Sequence, residues 1–95
     1  MQVLAILRRR TEAFSDAQFA SLLDDEAEAL RRLYAEGIVR SAWTREDVPG
    51  ACAMLEAESP DQARAALARL PLVAKEMIEV QLIPLRGYRG FGPRA

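Results

Sequence analysis

Apolar residues along this chain recur with two different periods, and the switches between them divide it into elements. Gln2 to Leu7 (QVLAIL) is a continuous apolar run of strand length. From Ala17 to Glu36 the period becomes helical. At about 100° per residue, Phe19, Leu22, Leu23, Ala27, Ala29, Leu30, Leu33 and Tyr34 gather on one side, with Asp24, Asp25, Glu28, Arg31, Arg32 and Glu36 on the other. The spacing predicts one unbroken helix, with Ser15 as N-cap, Asp16 in its first turn and Gly37 as the C′ residue that stops it. Ile38 to Arg45 reads as a second strand, with Val39, Ser41 and Trp43 on one face and Ile38, Arg40 and Ala42 on the other. Glu46 to Gly50 contains Asp, Pro and Gly and predicts a hairpin turn into a third strand, Ala51 to Ala57. Ser59 opens a second helix through S-P-D-Q, with Pro60 in the first helical position and Gln62 reaching back, and Pro71 ends it. Glu76 to Leu85 is the fourth strand, in which Pro84 implies an unpaired end or an edge position. Arg86 to Ala95 is irregular and is expected to be an arm over a neighbouring subunit.

The element order is βαββαβ, the split βαβ arrangement of ferredoxin-like α+β folds. Right-handed crossovers place both helices on one face of a four-stranded antiparallel sheet. Strands one, three and four carry apolar residues at both parities, among them Val3 and Leu4, Cys52 and Ala53, and Ile78 and Leu82 against Ile83 and Leu85. A sheet apolar on both faces needs a second cover. Another copy of the same sheet supplies it most simply, giving a dimeric α/β barrel: a homodimer, or a larger ring of dimers.

Composition narrows the chemistry. Ninety-five residues, 51% hydrophobic and 28% charged, predict one small globular domain, and a net charge of −1 offers nucleic acid no general attraction. Arg8, Arg9 and Arg10 form one short basic run, read as a solvated strand end rather than a phosphate site. The single cysteine, Cys52, forms no internal disulfide, which fits a cytoplasmic location. No segment approaches a membrane span and the N-terminus lacks a long apolar leader region, so no membrane association is expected. Histidine is absent, which removes His-based acid–base chemistry and most zinc sites, and no clustered ligand set suggests a metal or other cofactor.

Glu26 breaks the apolar stripe of the first helix, with Leu22 one turn before it and Leu30 one turn after. An ionised carboxylate facing a core is costly unless paired or hydrogen-bonded, and otherwise its pKa rises. Held in a cavity, such a group is a candidate general acid or base. At the edge of the stripe, or paired with a core arginine, it is structural. The residue pattern admits both.

Two segments, Asp25 to Trp43 (DEAEALRRLYAEGIVRSAW) and Arg69 to Leu85 (RLPLVAKEMIEVQLIPL), extend the reading. The acidic D-E-x-E of the first helix, E-G-x-x-R-x-x-W entering the second strand, and L-P-L followed by I-E-V resemble the muconolactone isomerase family of small dimeric α/β-barrel proteins. The matching residues are Asp25, Glu26, Glu28, Glu36, Gly37, Arg40, Trp43, Leu70, Pro71, Leu72, Ile78, Glu79 and Val80. The resemblance covers most of the chain in order. It implies Glu26 as the base and a small-molecule substrate. It also implies a lysine one turn before Glu26 and a histidine after the strand arginine, where this chain has Leu23 and Ser41.

Arg40 is placed by this pattern within reach of Glu26, either as a clamp for a carboxylate or enolate oxygen or in a structural pair with Glu26 or Glu36. Trp43, Tyr34 and Tyr88 are candidates to line an aromatic pocket, or to pack in the core or an interface. Three functions fit these residues. The first is a cofactor-free isomerase shifting a proton on a small unsaturated lactone or acid, with Glu26 and Arg40 sharing one cavity. The second is a cofactor-independent oxygenase of the dimeric barrel type. The third is a non-catalytic small-molecule-binding or assembly module.

Overall fold

A computed structural model describes residues 1–93. Its strands are β1 (Gln2–Arg9), β2 (Val39–Thr44), β3 (Gly50–Glu56) and β4 (Ile78–Leu85). They form one sheet in the order β2-β3-β1-β4, with every neighbouring pair antiparallel. Because residues alternate across a strand, Val3, Ala5 and Leu7 of β1 share a face with Leu55, Ala53 and Ala51 opposite them in β3, and with Pro84, Leu82 and Val80 in β4. Val3 and Ala5 are wholly buried there, under Leu33 of α2 (Leu23–Ala35) and under Ala63, Ala66 and Leu67 of α3 (Pro60–Leu67). Fully burying such side chains contributes about 1.5–3 kcal/mol each for the larger ones. The ferredoxin-like α+β architecture, with helices on one sheet face, is therefore the one the pattern predicts.

The helices are more broken than predicted. The stretch read as one helix is two, α1 (Asp16–Ala20) and α2, meeting at Ser21–Leu22. In a continuous helix the Leu22 N–H would bond to the Gln18 carbonyl. The Ser21 hydroxyl takes that carbonyl instead, at 2.8 Å, and the Leu22 N–H turns to the Phe19 carbonyl at 3.1 Å. A serine competing for backbone in this way breaks the ladder. Phe19 then joins a second apolar cluster with Leu72 and Met77. Tyr34, predicted on the apolar stripe, is 65% exposed.

Pro71, predicted to end the second helix, begins a short third helical piece, α4 (Pro71–Ala74). The residue before a proline is pushed to extended backbone, and Leu70 has that conformation at the N-cap while Pro71 takes the first helical position. At the other end the Glu76 N–H reaches the Val73 carbonyl at 3.0 Å and the Met77 N–H reaches the Leu72 carbonyl at 2.9 Å. This is a Schellman closure, and it forces Glu76 to φ 58°. Gly37 closes α2 in the same way at φ 81°, as its position predicts.

The faces of β2 also differ from the prediction. Val39 and Ser41 oppose the adjacent residues Leu55 and Met54, so Arg40 is the extra residue of a β-bulge. The bulge reverses parity: Val39 faces the helices together with Ala42 and Thr44, whereas Ser41 and Trp43 fall on the helix-free face. Pro84 lies on an edge strand, as expected, since β4 pairs with β1 alone. Gly50 opposes Arg8 so closely that a Cβ there would sit 2.1 Å from the Leu7 carbonyl oxygen. Past β4 the arm makes a single 3-10 turn, Arg89–Phe91, in which the exposed rings of Tyr88 and Phe91 meet edge to face. Residues 94 and 95 of the expected arm lie outside the described residues.

Left-handed backbone disfavours any residue with a Cβ by about 1–2 kcal/mol. Glu76→Gly is therefore expected to stabilise the fold by about 1 kcal/mol, read as a higher denaturation midpoint. An unchanged or lower midpoint would contradict the Schellman geometry at α4.

Candidate active site

Following Val3, Ala5 and Leu7 along the covered face of β1, the next residue of that parity is Arg9, the last of the strand. A cavity of about 170 Å³ opens there between α2 and the sheet. Leu7 and Arg9 line it from β1, Leu23, Glu26 and Leu30 from α2, Ala42 and Thr44 from β2, and Leu70 and Leu72 from the start of α4. An apolar cavity of about 150 Å³ accommodates a benzene-sized molecule, so this one has the scale of a single small ring. Glu26 and Arg9 are its two charged lining residues. A larger surface hollow of about 580 Å³ on the arm is walled, among the described residues, by Arg86, Gly87, Tyr88 and Arg89, all exposed.

Glu26 sits in the first turn of α2, half-buried. Its Oε1 accepts a hydrogen bond from the Leu72 N–H at 3.0 Å. That donor is available because Leu72 stands in the first turn of α4, where N–H groups have no partner inside the helix. Burial pushes the Glu26 carboxyl above its ordinary range; the Leu72 N–H and the positive charge of Arg9 oppose this and only partly offset it.

Arg9 is the cavity-lining residue that the basic run concealed. Its guanidinium lies over the Phe19 ring at 5.4 Å. The neighbours on either side do other things. Arg8, on the helix-free face, pairs with Glu12 and Glu79, and Arg10 donates to the Glu76 carbonyl at 2.7 Å. Strand parity was the available signal, since it aligns Arg9 with the buried residues of β1 and separates it from Arg8 and Arg10.

Of the five residues singled out from sequence, only Glu26 lines this cavity within one chain. The expectation that Arg40 shares it is corrected by the bulge, which leaves Arg40 exposed and beyond ion-pair distance of Glu26; Glu36 pairs with Arg69 at 2.5 Å instead. Trp43 is 54% exposed on the helix-free face, because the bulge reverses its parity. Tyr34 is exposed on α2, and Tyr88 is exposed on the arm. Leu23, at the position where the resemblance implies a lysine, lines the cavity, and Ser41, at the implied histidine, does not. Among the described residues no group of three or more His, Cys, Asp or Glu converges to hold a metal ion, and no helix is long and apolar enough to cross a membrane.

Several solved structures share this architecture, and two of them illustrate it. A muconolactone isomerase superimposes with a TM-score of 0.75 at 20% identity, covering 93% of this chain and 91% of its own. A 5-chloro-2-hydroxyhydroquinone dehydrochlorinase from Burkholderia phenoliruptrix, in complex with 2,5-dihydroxybenzoquinone, gives 0.68 at 15% identity, covering 95% and 98%. At these identities the likeness is one of fold. No curated protein matches the sequence. The family model for muconolactone delta-isomerase matches residues 5–89, from β1 into the arm, and the chain belongs to that family.

Proposed function

We propose that this protein is a cofactor-free isomerase that moves a proton along a small unsaturated lactone or acid, with Glu26 as the base. The observation that carries the reading is a half-buried carboxylate on the wall of an otherwise largely apolar, ring-sized cavity, held through one oxygen by the Leu72 N–H. With Oε1 so engaged, Oε2 is left to face substrate. The carboxylate removes a proton from a carbon conjugated to the carbonyl, and the C–H electron pair passes into an enolate. The carboxylic acid so formed returns the proton to another carbon of the same system. The base is regenerated and nothing is oxidised, reduced or lost. The raised pKa brings Glu26 closer to the neutral range in which a group both accepts and returns a proton effectively. Membership of a family named for such an isomerase, and a fold neighbour solved with a small quinone, support a ring-shaped substrate. Arg40, Trp43, Tyr34 and Tyr88 stay outside this proposal, since none of them lines the Glu26 cavity of its own chain.

In the same reading the functional unit is a homodimer or a ring of dimers. Leu4, Ile6, Met54, Ile83 and Leu85 project from the sheet face that carries no helix, and Trp43 stands among them. A second copy laid on that face removes this surface from water. Light scattering at micromolar concentration is expected to give twice the chain mass or a multiple of it. A clean monomer would rule the dimer out.

Removing a general base costs about 10²–10⁴ in rate. With muconolactone as trial substrate, Glu26→Gln is expected to lower turnover by that order while the fold persists; near-full activity would reject Glu26 as the base. The same variant reports on burial. The native carboxyl holds its proton more tightly folded than unfolded, so its ionisation costs stability as pH rises from about 4.5 through the raised folded value. Gln keeps an acceptor for the Leu72 N–H and never ionises. The stability of Glu26→Gln relative to the native chain is therefore expected to rise between about pH 4 and about pH 8 by denaturant titration. A difference that is flat or falls over this interval would show that burial does not dominate at Glu26.

A further inference from the structure

We infer that Arg9 is the anion-binding residue of the Glu26 cavity and the residue that selects a negatively charged ligand over a neutral one of the same shape. The inference rests on the reading of that cavity as a substrate site. It starts from a contrast among the three consecutive arginines at the end of β1. Arg8 and Arg10 have their donors engaged by carboxylates or a backbone carbonyl. Among the described residues Arg9 has no carboxylate within ion-pair distance and its side chain donates no hydrogen bond, although it is half-buried and lines the cavity. A guanidinium carries five N–H donors in a rigid fork suited to two oxygens at once. Among the described residues the guanidinium has the Phe19 ring as its partner, with the guanidinium carbon 5.4 Å from the ring centre. A ring is neither a carboxylate nor a carbonyl acceptor, so this contact positions the guanidinium while its N–H donors remain for a ligand.

Glu26 completes the argument by being near without being paired. It feels the charge of Arg9, yet the two make no salt bridge, and the Glu26 carboxylate takes its hydrogen bond from Leu72 instead. A cation and a carboxylate that border one cavity and leave each other free can divide a bound molecule between them: its anionic oxygens toward Arg9, its reacting carbon toward Glu26. The remaining walls are mainly aliphatic, so Arg9 is the lining residue that attracts a negative group. Apolar walls strengthen that attraction relative to water.

The test measures binding, independently of turnover. Titration with 2-furoate and with 2-furamide, a small ring bearing either a carboxylate or its neutral amide, compares the two charges at nearly constant shape. The native chain is expected to prefer furoate. Arg9→Gln, which keeps much of the polar bulk over Phe19, is expected to weaken furoate binding about ten- to hundredfold and to leave furamide binding nearly unchanged. Leu23→Lys added to Arg9→Gln puts a cation on the opposite wall of the same cavity and is expected to restore part of the furoate preference. A merely structural arginine would not be replaced in that way. Should Arg9→Gln fail to fold, Arg9→Lys serves, with a smaller loss of furoate affinity expected from a single ammonium without a fork. The inference is overturned if the native chain shows no preference for furoate, or if a folded Arg9 variant keeps its full preference. Failure of Glu26 as the base shows separately, as undiminished turnover in Glu26→Gln, and leaves the binding comparison standing.

Discussion

The hydrogen bond from the Leu72 N–H to Glu26 joins the two halves of the chain at the cavity where Glu26 and Arg9 bring charge to the covered side of the sheet. Leu72 needs an acceptor because it begins a helix, and it begins a helix because Pro71 supplies the φ of a first helical position and no N–H of its own. Glu26 needs a donor because it is half-buried. Each group answers the desolvation of the other, and the short α4 is held at the mouth of the cavity as a result. The same bond occupies one carboxylate oxygen, Oε1. It serves as a structural cap, and in the proposed function it is also the means of aiming a base; these two roles do not exclude each other.

Three consecutive arginines at the end of β1 meet three different fates, and the pleat decides among them. Arg8 points to the helix-free face and is absorbed by Glu12 and Glu79. Arg10 leaves the strand, lies near the Phe14 ring and satisfies a carbonyl at the end of α4. Arg9 alone turns under the helices. Exposed ion pairs such as those of Arg8 contribute little to stability, whereas one cation set beside an apolar cavity alters what that cavity will accept. The difference is one of environment, since the side chains are chemically identical.

The bulge at Arg40 has a comparable effect on β2. By inserting one residue it turns Val39 to the helices with Ala42 and Thr44, and leaves Trp43 on the face that carries no helix. A large aromatic ring, 54% exposed beside half-buried Leu4, Ile6, Met54, Ile83 and Leu85, marks that face as different from an ordinary solvated sheet surface. The two faces thus divide the work: one encloses the core and the cavity, and the other offers the apolar area on which the proposed dimer depends.

The element order, the helix-covered sheet, the turn at Gly37 and the anomalous place of Glu26 were all legible in the sequence. Each depends on period, on a local cap or on a residue out of keeping with its immediate neighbours, and such signals are carried by residues close together in the chain. The helix break at Ser21 and the start of α4 at Pro71 had local causes as well, a serine hydroxyl and a proline, but both residues also fit the interior or end of a helix. Pattern alone therefore did not separate the possibilities. What only the tertiary structure decided was register and company. A bulge is invisible in a strand sequence because it becomes real only against the partner strand, and its one-residue shift moved Arg40 and Trp43 away from Glu26. The pairing of Glu36 with Arg69, and the meeting of Arg9 with Glu26 and Phe19, join residues distant in sequence whose proximity is set by packing. Side-chain chemistry announces itself locally, whereas the partner that gives it a function is chosen by the fold.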